Sequence, residues 1–320
     1  MKGFFVALAA LSIMSSACRR DPVPSPIAES KYPEAVAQIV VNSCATSGCH
    51  ISPAPAANLA LETWDLLFKG SDVGAVLIPG APDWSHFWQH TNTFEDLGVR
   101  ATPVMPPETT AAPLSRAQVE SLRDWILDGA PDTDGKLRWA AEEQLSTGKL
   151  FTLCAGSDLI AVSDLASNLT MRMVPVGVVE AQTESPHYIQ LSPDKKFMYV
   201  TLIGGEAVEK FRTDTYEKVG RVVVGPDPSL IQINASGTRA VITHWNDIGG
   251  APKLTLLNTE NMSIVDQVVA SGDLLSYPHG LVAKSDFSMI YVSANRGNYY
   301  AKWYLSENGF IDHEEISVDP

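Results

Sequence analysis

The second half of the chain repeats itself. The run Ser185–Thr201 (SPHYIQLSPDKKFMYVT) aligns with Asp227–Thr243 (DPSLIQINASGTRAVIT). It aligns again with Tyr277–Ser293 (YPHGLVAKSDFSMIYVS). The shared prolines Pro186, Pro228 and Pro278 stand 42 and 50 residues apart. Phe197–Thr201, Arg221–Val224 and Ile290–Ser293 read as strands, with turn residues between them. A period of about 40–50 residues with four strands per unit is the signature of propeller blades. One such unit cannot bury its own faces, but stacked neighbours can. The chain has the material for these cores, with 45% hydrophobic and 19% charged residues.

Upstream, Ser157–Asn168 and Met171–Gly177 resemble the closing strands of a blade in the YVTN-type propeller family, a relative of WD40-like propellers. Phe197-Met-Tyr-Val-Thr201 is this chain's version of the motif that names the family. The resemblance covers Leu150 to Pro320 and implies an all-β propeller. That length holds about four blades, the lower end of the usual range of about four to eight. An incomplete ring or a fragment is therefore expected. His187 and His279 fall at the same place in two repeats, and Ser229 occupies that place in the middle one. Both histidines read as packing residues where a blade begins; the alternative is a lining of the central funnel. His244 follows a strand elsewhere.

Before about Asp134 the pattern is helical, so the expected fold is multidomain α + β: a small all-α domain followed by the all-β propeller. Val36, Ile39 and Val40 share one face of a first helix behind Pro33. Leu61–Phe68 is a second short helical candidate. Ser115-Arg-Ala-Gln118 matches a capping box, and Val119, Leu122, Trp125 and Ile126 follow as an apolar face. Gly129 and Pro131 end that helix. Ile78–Pro113 between these helices is a Pro-rich loop region.

Cys44-Ala-Thr-Ser-Gly-Cys49-His50 carries the chemistry. Two thiols can add across the two vinyl groups of a haem while the adjacent imidazole ligates the iron. The common spacing is C-x-x-C-H; here two more residues separate the cysteines, and Gly48 gives the longer loop backbone freedom. A local disulfide and a zinc site of Cys44, Cys49 and His50 are the competing readings. Met105, between Pro103 and Pro106-Pro107, offers a thioether for a second axial position; the plain alternative is a gap-filling core residue. His86 and His90, at i and i+4, could take its place. Cys154, in a strand-like run, reads as a structural thiol.

A helix leading into the Cys-His motif, then Leu77–Ser85, the Met-Pro-Pro loop and a final helix bearing Trp125 resemble a planctomycete-type cytochrome c domain. This resemblance covers about Lys31 to Thr133. It implies one covalent haem c on Cys44 and Cys49, with His50 as proximal ligand and Met105 as distal ligand. A single Cys-Cys-His motif leaves no second covalent site.

Met1–Ala17 has a basic start and an apolar run of about 11 residues, too short for a spanning helix of about 20. Ser-Ser-Ala-Cys18 resembles the lipobox of bacterial lipoproteins, which implies an acylated Cys18. The expected layout is a signal peptide over 1–17, a Pro-rich tether over 18–30, the haem domain over 31–134, a linker over 135–149 and the propeller over 150–320. The chain would then sit at the bacterial cell envelope, anchored to the membrane by lipid on the periplasmic or outer-membrane side. A net charge of −14 argues against nucleic acid and for a redox partner with a basic docking face. No phosphate loop, H-E-x-x-H or G-x-S-x-G motif is present. Three functions follow in order of preference. The first is a membrane-anchored electron carrier. The second is a propeller-based redox enzyme, with a layout like cytochrome cd1, whose haem domain relays electrons. The third is a zinc- or disulfide-stabilised binding module.

Overall fold

Both periods read from the sequence become elements of structure. The computed structural model describes residues 26–140, 148–179, 181–269 and 274–318. Cys18 and the leader lie outside these residues. The helical part contains α1 (Pro26–Glu29), α2 (Glu34–Ser43), α3 (Trp64–Leu67), α4 (His86–Thr91) and α5 (Arg116–Leu127). In α5 the capping box forms: Ser115 Oγ accepts from the Gln118 amide, and Gln118 Oε1 accepts from the Ser115 amide at 2.9 Å. Val119, Leu122, Trp125 and Ile126 are buried on one face. Gly129, at φ +92°, ends the helix and turns the chain so that the Ala130 amide reaches the Trp125 carbonyl. The buried face of α2 (Val36, Ala37, Ile39, Val40) packs on α5, and Tyr32 meets Trp125 edge-on at 6.0 Å.

One helix departs from the loop expected over 78–113. Six residues, His-Phe-Trp-Gln-His-Thr, are too few to show a helical period, yet α4 forms because Phe87 and Trp88 are drawn into the core. The Trp88 indole N–H donates to the Val119 carbonyl of α5 at 3.3 Å. Tertiary burial, not propensity, makes this helix.

The remaining described residues form four antiparallel sheets. β1 (Lys149–Cys154), β2 (Leu159–Asp164) and β3 (Leu169–Pro175) make a three-stranded sheet. β4 (Pro186–Leu191), β5 (Phe197–Leu202), β6 (Ala207–Arg212) and β7 (Lys218–Val223) make the second. β8 (Pro228–Ile233), β9 (Arg239–His244), β10 (Pro252–Asn258) and β11 (Ser263–Val269) make the third, and β12 (Pro278–Ala283), β13 (Met289–Ala294), β14 (Tyr299–Ser306) and β15 (Gly309–Ser317) the fourth. Each is an up-and-down meander, as propeller blades are. The innermost strands touch in sequence, β1 to β4 to β8 to β12; among the described residues no comparable contact returns from the fourth sheet to the first. The result is an arc of blades, an open part of a propeller.

A repeated hydroxyl links the blades. Thr201 Oγ1 accepts from the Tyr188 amide of its own blade at 3.1 Å and donates to the Ser229 carbonyl of the next at 2.6 Å. Thr243 does the same, accepting from Leu230 at 3.2 Å and donating to His279 at 3.1 Å. Ser293 accepts from the Gly280 amide at 2.8 Å within the fourth blade. Each of these hydroxyls thus braces an irregular inner-strand pairing, and Thr201 and Thr243 also tie it to the neighbouring blade.

Between the first and second blades lie two carboxylates with fully buried side chains. Arg221 bridges Glu184 at 2.7 Å and Glu209 at 2.8 Å, and Lys218 adds a second contact to Glu209 at 2.8 Å. Burial alone would raise the Glu184 pKa. The Val178 amide and Arg221 outweigh it and hold the carboxylate below its ordinary range. The same acids accept from the Gly177 and Val179 amides, so the network also fixes the chain crossing between the blades.

The helical part and the first two blades share one apolar core, running from Tyr32 and Val40 through Trp64 and Trp88 to Ile160, Met171, Val200 and Phe211. Phe68 meets Trp139 edge-on at 5.4 Å, and Arg172 of β3 donates to the Trp139 carbonyl at 3.0 Å. Gly70 sits at φ +78°, and a Cβ there would meet the Gly74 carbonyl oxygen of its own turn at 2.5 Å and the Leu169 side chain of the first blade at 3.1 Å. Among the described residues no helix is long and apolar enough to cross a membrane.

His244 is completely buried in the third blade. Its Nδ1 donates to the Pro226 carbonyl at 2.8 Å and its Nε2 accepts from Thr255 Oγ1 at 2.8 Å, so the folded chain requires the neutral ring. Burial lowers its pKa to about 4. The unfolded chain binds this proton near pH 6.5, so its contribution to stability is complete above about pH 6.5 and falls until about pH 4. The expected loss over that window is about 3 kcal/mol, read as the change in the unfolding free-energy difference between wild type and His244→Gln in urea at pH 7 and pH 4. A difference that does not change with pH would show that the ring titrates alike in both states.

Candidate haem site

The Cys-His motif begins where α2 stops. Cys44 is the helix C-cap, its amide still bonded to the Val40 carbonyl. The chain then closes on itself: the Cys49 amide donates to the Thr46 carbonyl at 3.0 Å and the His50 amide to the Cys44 carbonyl at 3.2 Å. Gly48 sits at φ +80° with open space where a Cβ would be, so its role is the left-handed turn and not close packing. The extra residues between the cysteines are thus taken up by a hydrogen-bonded loop.

A second segment braces this loop. The Ala56 amide donates to the Cys49 carbonyl and the Leu61 amide to the His50 carbonyl, both at 2.9 Å. His50 Nδ1 lies 3.1 Å from the Leu59 carbonyl. A carbonyl can only accept, so Nδ1 carries the proton and Nε2 keeps its lone pair for a metal. The Tyr32 hydroxyl lies 3.3 Å from the Leu61 carbonyl and 3.1 Å from that of Thr63, tying the brace to the start of α2. Glu62, whose Oε1 accepts from the Ser52 amide, has a buried Oε2 without a partner.

The two thiols are unbridged. Cys44 is buried and Cys49 half-buried. Burial, with a further push from Cys49, raises the Cys44 pKa to about 12. Among the described residues no three His, Cys, Asp or Glu side chains converge as an ion-holding set. The arrangement therefore offers two thiols and one oriented imidazole on a short rigid loop, the donor set that covalent haem attachment uses.

Met105 is held on a different loop. That loop hangs from the end of α4: the Ala101 amide donates to the Gln89 carbonyl at 2.9 Å and the Met105 amide to the His90 carbonyl at 2.7 Å. His90 Nδ1 in turn lies 2.7 Å from the Pro103 carbonyl, which leaves its Nε2 free. His86, one turn earlier, is exposed, with its ring 6.2 Å from that of His90. The structure thus gathers Cys44, Cys49 and His50 in one loop and pairs Met105 with His90 in another. No hydrogen bond joins the two loops among the described residues. The tie between Met105 and His90 was not visible in the sequence, because it depends on α4.

The remaining sequence candidates lie in the blades. Cys154 ends β1, unbridged and half-buried. His187 and His279 are not core residues: His187 is exposed and His279 half-buried, with rings 5.9 Å apart. The open inner face of the arc leaves room for both imidazoles outside the apolar cores.

Residues 47–109 match the family model of planctomycete cytochrome c. The match takes in Cys49, His50, His86, His90 and Met105 of this cytochrome domain, and it begins three residues after Cys44. No curated protein matches the chain. Several solved propeller proteins do. Hydrazine synthase of Kuenenia stuttgartiensis is 18% identical with a TM-score of 0.44, over 58% of this chain and 52% of its own. The periplasmic gluconolactonase of Pseudomonas aeruginosa is 13% identical with a TM-score of 0.42, over 53% and 52%. The dihydro-haem d1 dehydrogenase NirN, in complex with DHE, is 12% identical with a TM-score of 0.43, over 89% and 59%. The chain spans about half the length of these structures.

The burial difference between the cysteines of the cytochrome domain is directly measurable. In haem-free protein at pH 8, only about one Cys44 thiol in ten thousand is ionised at a pKa of about 12. Timed iodoacetamide labelling with peptide mapping is expected to modify Cys49 well before Cys44. Equal rates in folded protein would contradict the buried placement of Cys44.

Proposed function

We propose that this chain is a lipid-anchored c-type cytochrome that carries single electrons, with the propeller arc placing the haem and docking the partner. Cys44 and Cys49 would hold the haem through thioether bonds, formed by adding each S–H across a vinyl group with no net redox change. His50 Nε2 and Met105 would be the ligands to its iron. The bound haem supplies a reversible one-electron couple. The rest falls to the chain: the Leu59 carbonyl orients His50, and the carbonyls of Gln89 and His90 hold the Met105 loop. The single observation that carries this reading is the His50–Leu59 contact, which sets the ligating tautomer inside the two-cysteine loop. The helical unit also shares its core with the first two blades, which supports the propeller as a rigid mount.

Cys18 would carry the lipid and the Pro-rich segment over 21–26 the tether, placing the haem at the bacterial envelope. A multi-chain lipid anchor needs no spanning helix. The net charge of −14 favours a basic redox partner.

Full-length protein made in cells with cytochrome c maturation is expected to gain the mass of one haem, retained through acid denaturation and lost in Cys44→Ala/Cys49→Ala. Cys18→Ser should move the holoprotein from the membrane to the soluble fraction. Colourless protein with the two sulfurs oxidised together, or holding zinc, would overturn the reading.

Met105→Ala should lower the reduction potential, because a thioether ligand raises it. A potential that responds to His90→Ala and not to Met105→Ala would give the distal position to His90.

The rate of electron exchange with a cationic partner protein should fall as salt is added, through screening over about 10 Å at 0.1 M. A rate indifferent to ionic strength would remove the basic partner from this proposal.

A further inference from the structure

We propose that His187 and His279 form a binding site for one divalent first-row transition-metal ion on the concave inner face of the blades. The two residues come from different blades, each just after the proline that opens its inner strand, on β4 and β12. β8 lies between these strands and touches both. The rings nevertheless meet across it, with centroids 5.9 Å apart and planes at 84°. Two imidazoles sharing one ion, with metal–nitrogen bonds of about 2.0–2.1 Å, place their centroids at about this separation.

The residue that breaks the repeat makes this approach possible. The middle blade carries Ser229 at the equivalent place, and its small side chain is fully buried. An imidazole there would stand between the other two. Neither histidine fills a core: His187 is exposed and His279 half-buried. Two imidazoles facing each other on an open surface suit zinc, nickel or copper. Among the described residues no third His, Cys, Asp or Glu joins them. The ion would therefore keep positions open for water or a small ligand. This site lies apart from the haem loop and does not depend on it.

The test uses Cu²⁺ as the probe, because copper binds nitrogen sites tightest in the first-row divalent series. The parent is full-length holoprotein carrying His86→Ala, which removes the other close imidazole pair, His86 with His90. Calorimetry should find one tight Cu²⁺ per chain, and electron paramagnetic resonance should show nitrogen coupling from two imidazoles. Added singly, His187→Ala and His279→Ala should each weaken binding at least about tenfold. Together they should abolish the two-nitrogen signal with the haem spectrum and melting temperature unchanged. Unaltered affinity in the double variant, or only weak non-specific Cu²⁺ uptake by the parent, would overturn the site. Should the double variant misfold, Ser229→Leu gives a second reading, since a bulky side chain between the rings should also weaken copper binding. If folded Ser229→Leu binds as the parent does, the shared-ion geometry is wrong.

Discussion

A four-stranded blade has two apolar faces and no means of covering either alone. Everything in this structure answers that constraint. Each inner face finds a neighbour: Met198, Val200 and Phe211 of the second blade lie with Ile160 and Val162 of the first, and Trp303 and Leu305 of the fourth lie with Leu254 and Leu256 of the third. The apolar term holds the blades together without fixing their angle, since it is non-directional. Direction comes from polar contacts at the same interfaces. The Thr201 and Thr243 hydroxyls each accept inside one blade and donate into the next, and Arg221 joins two acids that would be costly to bury unpaired.

The cytochrome domain is built into this arrangement at its first blade. Its core continues into that blade without a break. The helical domain and the first two blades are therefore held as one packed unit.

Within the domain, both candidate ligand loops follow one rule. A backbone carbonyl meets the ring nitrogen that is not needed for the metal: Leu59 for His50, and Pro103 for His90. Each loop is hung from the end of a helix, where unpaired carbonyls are available to accept its amides: Val40 of α2 for Cys44, and Gln89 and His90 of α4 for the Met105 loop. Short helices with exposed polar ends thus become supports for loops that would otherwise have little to hold them.

Much of this was legible without coordinates. The α5 capping box, the buried faces of α2 and α5, and the blade period are local or periodic signals, and each forms as read. The Cys44–His50 motif is local too, since its members share one turn of chain. Other features had no local signal. α4 is too short to show a period and exists because Trp88 is buried against α5. The link between Met105 and His90 needs that helix in place. The approach of His187 to His279 depends on the curvature of the arc and on the small size of Ser229. Periodicity and spacing determined which residues could form strands, helices and a haem loop, because those signals reside in neighbouring residues. Which distant side chains meet was decided only by the packing of whole blades and helices, because burying their apolar faces sets the distances between them.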